Sequence, residues 1–303
     1  MRELIAELSR FAEADRILTQ EPMKYHTTFR VGGPADICFF PKSADEIRQA
    51  MAAAQKLGVP CMVMGNGSNM IVRDGGIRGL VIILGDRYAD IRVDGTRISC
   101  LAGAPLSRLA AAALENSLTG LEFASGIPGT LGGGAAMNAG AYGGQLSDVL
   151  VSAEILADGG ICTYSREQMD MGYRTTRPLR EGSIILSAEF ELRRGEHETI
   201  AATMRDLNAR RRDKQPLNLP SAGSTFKRPE GHFAGALIEG AGLKGETIGG
   251  AQVSPKHAGF IVNTGGATAG DILALIERVQ ARVREKYGVE LECEVRIVGE
   301  NAS

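Results

Sequence analysis

The chain has no tryptophan, few aromatic residues and no excess of charge, and each shortage narrows what it can be. With 34 basic against 36 acidic residues the formal charge is −2, so no basic field recommends nucleic acid as a partner. No apolar run reaches the ~18 residues that a membrane helix needs. Residues 1–8 alternate acidic and apolar side chains as an amphipathic helix does. They lack the apolar stretch of a secretory signal, and the expected location is cytoplasmic. The five cysteines are odd in number, scattered and without a CxxC pair, which argues for reduced, buried thiols against a disulfide framework or a zinc site. His26, His197, His232 and His257 form no HExxH and no paired spacing, so no metal is expected. No Walker A sequence is present, and ATP hydrolysis has no support.

What the chain has is glycine, 39 of 303 residues, in an otherwise ordinary globular composition long enough for two or three domains. A helix opens the chain, a strand is expected at 36–40, and Ser43 with Glu46 reads as a capping box for a helix that stops at Gly58. An apolar strand at 59–64 runs into Gly65-Asn66-Gly67-Ser68-Asn69, and another follows at 80–84. Hairpins are expected over 91–100 and 149–164, with a helix from Pro105 between them. Leu186, Ala188, Phe190 and Leu192 alternate as a half-buried strand. Polar helix 196–212, helix 234–239, strand 260–263, a helix over 268–287 capped by Thr268 and Asp271, and a closing strand 291–298 complete the pattern. It is an α+β arrangement with texture changes near residues 80 and 200.

A glycine loop after a strand exposes backbone N–H groups with no side chains in the way, which suits a phosphate or a planar ligand. Residues 65–69 fit that description, and 126–144 form a second, longer segment of the same kind. Tight turns and close packing are the alternative use of such glycines. Gly240-Ala241-Gly242-Leu243-Lys244-Gly245 has the GxGxxG spacing, but the dinucleotide fingerprint opens a helix after a strand, whereas Gly240 here follows a helix. Among groups able to do chemistry, Ser221-Ala222-Gly223-Ser224-Thr225-Phe226-Lys227 places a hydroxyl near an ammonium, and Arg174 follows Gly172-Tyr173 in a loop. In the closing strand Glu292, Glu294 and Arg296 share one face. That face is either turned to a cleft or to solvent, and spacing alone does not choose.

Taken in order, several segments resemble the UDP-N-acetylenolpyruvoylglucosamine reductase (MurB) family nearly end to end. They are Thr27-Thr28-Phe29-Arg30-Val31-Gly32-Gly33-Pro34-Ala35, both glycine segments including Met137-Asn138-Ala139-Gly140-Ala141-Tyr142-Gly143, Tyr173-Arg174, residues 222–227, and Glu292-Cys293-Glu294-Val295-Arg296. The resemblance implies two N-terminal FAD-binding subdomains of the vanillyl-alcohol-oxidase-like (PCMH-like) class, residues 1–80 and 81–200, and a substrate-binding α+β domain, 201–303. It implies non-covalent FAD held chiefly by backbone at Gly65, Asn66, Gly67, Ser68, Asn69, Gly126, Ile127, Pro128, Gly129, Thr130, Gly132, Gly133, Asn138 and Ala139. Arg174, Ser224 and Glu294 match the family's catalytic positions, with Tyr173 and Lys227 near the substrate.

The implied reaction is NADPH-driven reduction of UDP-N-acetylglucosamine enolpyruvate to UDP-N-acetylmuramate in peptidoglycan precursor synthesis, by a cytoplasmic monomer with no nucleic-acid partner. A flavin-dependent sugar or alcohol oxidase of the same fold class, and a flavin-free nucleotide-sugar binding protein, are the alternatives. This chain departs from the family pattern at Gly134, which extends a glycine pair to three, and at Arg228, where asparagine is common. It is also short between Tyr173 and Ser183, as in the family's shorter subtype.

Overall fold

Ser43 opens the first long helix, its hydroxyl accepting the Glu46 amide at 3.2 Å, and the helix runs Ala44–Lys56. The expected capping box is only half formed, because the Glu46 carboxylate accepts the Lys42 amide and the Arg16 guanidinium instead of the Ser43 amide. Ile47, Ala50 and Ala54 recur at helical spacing and are fully buried, in one core with Ile37, Phe39, Leu80 and Ile82. These features come from a computed structural model that describes residues 1–302. Internal contacts divide the chain into two units. The first is Met1–Leu18, Ile37–Asn66 and Gly79–Arg211; the second is Thr19–Asp36, Gly67–Arg78 and the chain from Arg212 onward.

Within the first unit, Cys61–Met64 pairs parallel with residues 80–83 of the strand Ile77–Ile83. Both expected hairpins form, one from Ile91–Asp94 and Arg97–Leu101, the other from Leu150–Ala157 and Gly160–Ser165. They belong to one five-stranded antiparallel sheet with Ile184–Glu191 between them, a pairing that local periodicity does not reveal. Leu186, Ala188, Phe190 and Leu192 are all buried, as their alternation predicts. The helix Leu106–Glu115 packs Leu106, Leu109, Ala110 and Ala113 into the same core as Phe190 and Leu131.

The segment 126–144, expected as a loop, is partly ordered: it contains the helix Leu131–Ala136 and a small hairpin, Gly140–Ala141 with Gly144–Gln145. Missing side chains make this possible. A Cβ at Gly132 would stand 2.8 Å from the Ala102 Cβ, and one at Gly134 the same distance from Leu106 Cδ1. Those two glycines are used for close packing. At Gly133, by contrast, a Cβ would meet nothing nearer than 4.0 Å.

In the second unit Thr268 and Asp271 form the expected capping box, and Ala269–Tyr287 buries Ile272, Leu275, Ile276, Val279 and Val283 along one face. That face packs with a three-stranded antiparallel sheet, Thr247–Ile248, Ala251–Val253 and Ile261–Asn263. The helix Ala234–Gly240 ends at Gly240, so the GxGxxG sequence leaves a helix and does not open one.

The closing strand differs from expectation. Only Arg296–Val298 is extended strand, paired parallel with Met70–Val72; residues 292–294 instead pair with 225–227 through the Phe226–Cys293 bridge. The segment changes partner at Val295, so it cannot continue as one ladder. The expected alternation survives at Leu291 and Val295, both buried.

Candidate active site

In the first unit the two glycine segments touch. A Cβ built on Gly65 would overlap the Thr130 hydroxyl, and the Asn66 side-chain amide donates to the Pro128 carbonyl at 3.1 Å. Gly65 therefore has to be glycine for the loops to meet, with the Thr130 hydroxyl filling the space where a side chain would stand. Thr130 is 4% exposed and precedes the helix Leu131–Ala136 without capping it, while Gly133 is exposed.

The same segment also fixes Arg174. Residues 172–175 form a tight turn in which the Gly172 amide donates to the Thr175 carbonyl at 2.9 Å, with Tyr173 and Arg174 at its tip. Two side-chain bonds tie this turn to the glycine segment. Asn138 Nδ2 donates to the Gly172 carbonyl at 3.2 Å, and Thr176 Oγ1 donates to the Ala136 carbonyl at 2.9 Å. Arg174 is held at φ 56°, a left-handed conformation, and its guanidinium carbon lies 5.3 Å from the Tyr173 ring centre. Tyr173 is 60% exposed.

In the second unit the end of the first glycine loop and the two sequence-predicted groups Ser224 and Glu294 share a frame. The Glu294 amide donates to the Thr225 carbonyl at 2.9 Å, and the Lys227 amide to the Glu292 carbonyl at 2.8 Å. This ladder sets Lys227 opposite Glu292, and their side chains form an ion pair. Asn69 holds the other side: its Nδ2 donates to the Glu294 carbonyl at 3.1 Å and its own carbonyl accepts the Arg296 amide at 3.0 Å. Gly67, at φ 58°, lies so close to the His26 carbonyl that any side chain would overlap it.

The hydroxyl of Ser224 is exposed and bonds to no protein group among the described residues. Its neighbour Thr225 is fully buried; its amide donates to the Gly259 carbonyl at 2.9 Å, and its Oγ1 accepts the Ile261 amide at 3.2 Å. The Gly259 amide in turn donates to His257 Nδ1 at 3.1 Å, and burial lowers the His257 pKa, which favours the neutral ring that this bond requires. Burial also raises the Cys293 thiol next to Glu294.

Comparison with known proteins agrees with this geometry. Residues 35–165 match an FAD binding domain, and residues 215–298 match the C-terminal domain of UDP-N-acetylenolpyruvoylglucosamine reductase. The enzyme of that name from Clostridium botulinum (strain Hall) is 52% identical over 287 residues, 94% of each chain. The one from Alkaliphilus oremlandii is 49% identical over 294 residues, 97% of each chain. The chain belongs to the UDP-N-acetylenolpyruvoylglucosamine reductase family.

A crystal structure of the family's member from Thermus caldophilus superposes with a TM-score of 0.80 at 34% identity, covering 93% of this chain and 97% of that one. An alkyldihydroxyacetonephosphate synthase aligns with 64% of this chain at 19% identity and a TM-score of 0.50, a likeness of fold alone.

The residues present fit the FAD of this reductase family. A Cβ would obstruct the approach of the loops at Gly65, and the exposed Gly133 presents open main chain beside Thr130. The remaining residues of the sequence-predicted cofactor set divide by what already engages them. Gly132 packs on Ala102, Ile127 packs on the core, the Gly129 carbonyl accepts the Leu106 amide and the Ala139 carbonyl the Leu146 amide. The side chains of Asn69 and Asn138 are bonded to protein. Gly126 lies against Asn208 and Arg211 of the helix His197–Lys214, with Asn208 Nδ2 donating to Ser125 Oγ at 3.2 Å. Ser68 is half-buried beside Gly67. Sequence reasoning missed Thr176, whose bond to Ala136 spans 40 residues; its only local signal is its place two residues after Arg174.

Proposed function

We infer that this chain catalyses the family reaction, the FAD-mediated, NADPH-driven reduction of UDP-N-acetylglucosamine enolpyruvate to UDP-N-acetylmuramate in peptidoglycan precursor synthesis. We assign the cofactor to residues 1–80 and 81–200 and the sugar nucleotide to residues 201–303, and take the enzyme to be monomeric and cytoplasmic. No helix among the described residues is long and apolar enough to cross a membrane.

FAD, when bound, would supply the hydride chemistry, relaying the hydride of NADPH to the terminal carbon of the enolpyruvyl alkene. The alkene electron pair then moves to the neighbouring carbon and its carboxylate, an enolate that needs a cation and a proton. Arg174 supplies the cation. Its turn is pinned by Asn138 and Thr176, so the guanidinium is placed before charge develops, an effect worth on the order of 3 kcal/mol for one well-placed donor. Ser224 supplies the proton from Oγ to the carbon, and its alkoxide is reprotonated from solvent. A serine hydroxyl is a weak acid, so it must be positioned and assisted. Glu294, held by the Thr225 carbonyl on one side and Asn69 on the other, and Lys227 are the assisting groups. Tyr173 lines the approach to Arg174.

The observation that carries this reading is the exposed, unbonded hydroxyl of Ser224 on a loop laddered to Glu294. Its test separates the two half-reactions by stopped flow. Ser224→Ala is expected to slow reoxidation of the reduced flavin by the enolpyruvyl substrate by at least about 100-fold, while reduction of the flavin by NADPH stays within about twofold. Equal slowing of both steps removes Ser224 from the proton-donor role. Purified protein without visible flavin absorbance under any loading condition removes the whole reading.

A further inference from the structure

Since Ser224 Oγ makes no bond of its own among the described residues, its position is set by the main chain on either side. After it, Thr225 is secured through its amide, its hydroxyl and its carbonyl. Before it the chain is freer. Gly223 sits at φ 76°, and the last anchors upstream are the Pro220 carbonyl, which accepts the Asn263 amide at 2.9 Å, and the Ser221 carbonyl. Thr28 Oγ1 donates to that Ser221 carbonyl at 2.7 Å, across 193 residues of sequence. The Thr28 amide meanwhile donates to the Gly67 carbonyl at 3.3 Å, in the first glycine loop.

Thr28 is therefore a two-ended brace. One end grips the loop that the resemblance assigns to the cofactor, the other the loop that carries Ser224. Thr27 beside it is buried and bonds only locally, its Oγ1 donating to the Val31 carbonyl at 2.9 Å, so the long-range tie belongs to Thr28. We propose that Thr28 is a positioning residue for the protonation step, setting Ser224 Oγ at a fixed offset from the first glycine loop. Loss of the brace leaves residues 221–224 with no main-chain hydrogen bond among the described residues between the Pro220 carbonyl and Thr225, so that only the buried Ala222 restrains rotation about Gly223. A displacement on the order of 1 Å is enough to slow a proton transfer severely. The proposal rests on the reading of Ser224 as proton donor.

The test uses the FAD-loaded enzyme and four variants, Thr28→Val, Thr28→Ser, Ser224→Ala and the Thr28→Val/Ser224→Ala double. Thr28→Val keeps the side-chain shape and deletes the donor. It is expected to slow substrate-driven flavin reoxidation about tenfold or more, with NADPH-driven reduction and the FAD dissociation constant unchanged within about twofold. Thr28→Ser restores the hydroxyl and the rate. In the double variant Thr28→Val adds nothing to Ser224→Ala, because a residue that acts only through Ser224 has nothing left to position.

Thr28→Ala carries the same expectations should the valine variant fail to fold. Reoxidation unchanged in Thr28→Val, equal slowing of both half-reactions, failure of Thr28→Ser to restore the rate, or a further loss in the double variant each overturns the proposal. If Ser224→Ala itself leaves reoxidation untouched, the Ser224 reading falls, and the brace falls with it.

Discussion

Asn138 offers the sharpest physical test of how the Arg174 turn is held. It is 4% exposed, and its Nδ2 reaches the Gly172 carbonyl at 3.2 Å and Ser147 Oγ at 3.3 Å, while its Oδ1 accepts the Ser147 amide at 3.0 Å. Its backbone sits at φ 42°. Replacement by glycine removes the side chain and leaves the backbone unstrained. Ser147 is 8% exposed, so its amide would lose its acceptor in a place water reaches poorly. One stranded buried donor plus the lost bond to Gly172 should cost roughly 2–3 kcal/mol.

Replacement by alanine keeps a β-carbon in the left-handed region, which relative to glycine costs roughly 1–2 kcal/mol, against roughly 0.5–1 kcal/mol for the greater freedom of glycine in the unfolded chain. Asn138→Ala should thus be less stable than Asn138→Gly by about 0–1.5 kcal/mol. The measurement is urea unfolding at one saturating FAD concentration, because cofactor binding itself shifts the midpoint by mass action. Both variants should also lose about tenfold in kcat/KM for the enolpyruvyl substrate, since the turn that carries Arg174 loses an anchor. A glycine variant as stable as the parent would mean that these bonds do not hold the turn, and an alanine variant more stable than the glycine one would refute the backbone argument.

Three further outcomes rest on other contacts. Gly65→Ala should bind FAD weakly or not at all, because its Cβ overlaps the Thr130 hydroxyl; adding Thr130→Ala removes that obstruction and should recover part of the flavin content, read from visible absorbance. At the alkaline end, burial pushes the Cys100 thiol from 9.0 up to about 12 and the Tyr88 hydroxyl from 10.0 up to about 12. A folded state that keeps a proton the unfolded chain gives up loses stability as pH rises, so the urea midpoint should fall progressively above pH 9, and less steeply in Cys100→Ala. A parallel fall in that variant would show that another group is responsible. The expected burial of the thiols holds for Cys38 and Cys100 but not for Cys61 and Cys162, which are exposed, so in the native protein at pH 8 a thiol reagent should label Cys162 and spare Cys100.

Whatever is decided within a turn or two of sequence could be read directly from it. Ser43 and Thr268 announce their helices because the cap and its amide lie three residues apart, and Gly240 closes a helix for equally local reasons. The alternation of Leu186, Ala188, Phe190 and Leu192 likewise foretells burial. What sequence does not display is the choice of partner. The segment 291–298 has one continuous alternating pattern, yet it pairs with the Ser224 loop before Val295 and with Met70–Val72 after it. Local alternation is the same whichever neighbour supplies the hydrogen bonds.

The site shows the same division between residue type and use. Glycine-rich segments mark where side chains are missing, but the use differs: Gly133 presents open main chain, whereas Gly65 makes room for the Thr130 hydroxyl. The resemblance implies that Asn69 and Asn138 meet the cofactor chiefly through backbone, and their side-chain amides turn to the carbonyls of Glu294 and Gly172, 225 and 34 residues away. An asparagine that touches a ligand and one that braces a distant loop have the same letter and the same glycine neighbours. They differ only in which distant carbonyl the fold delivers to the amide, and that delivery is a property of tertiary pairing. Thr28 is the limiting case: nothing in its own segment distinguishes it from Thr27, and its bond to Ser221 exists only because two stretches 193 residues apart are packed in one unit.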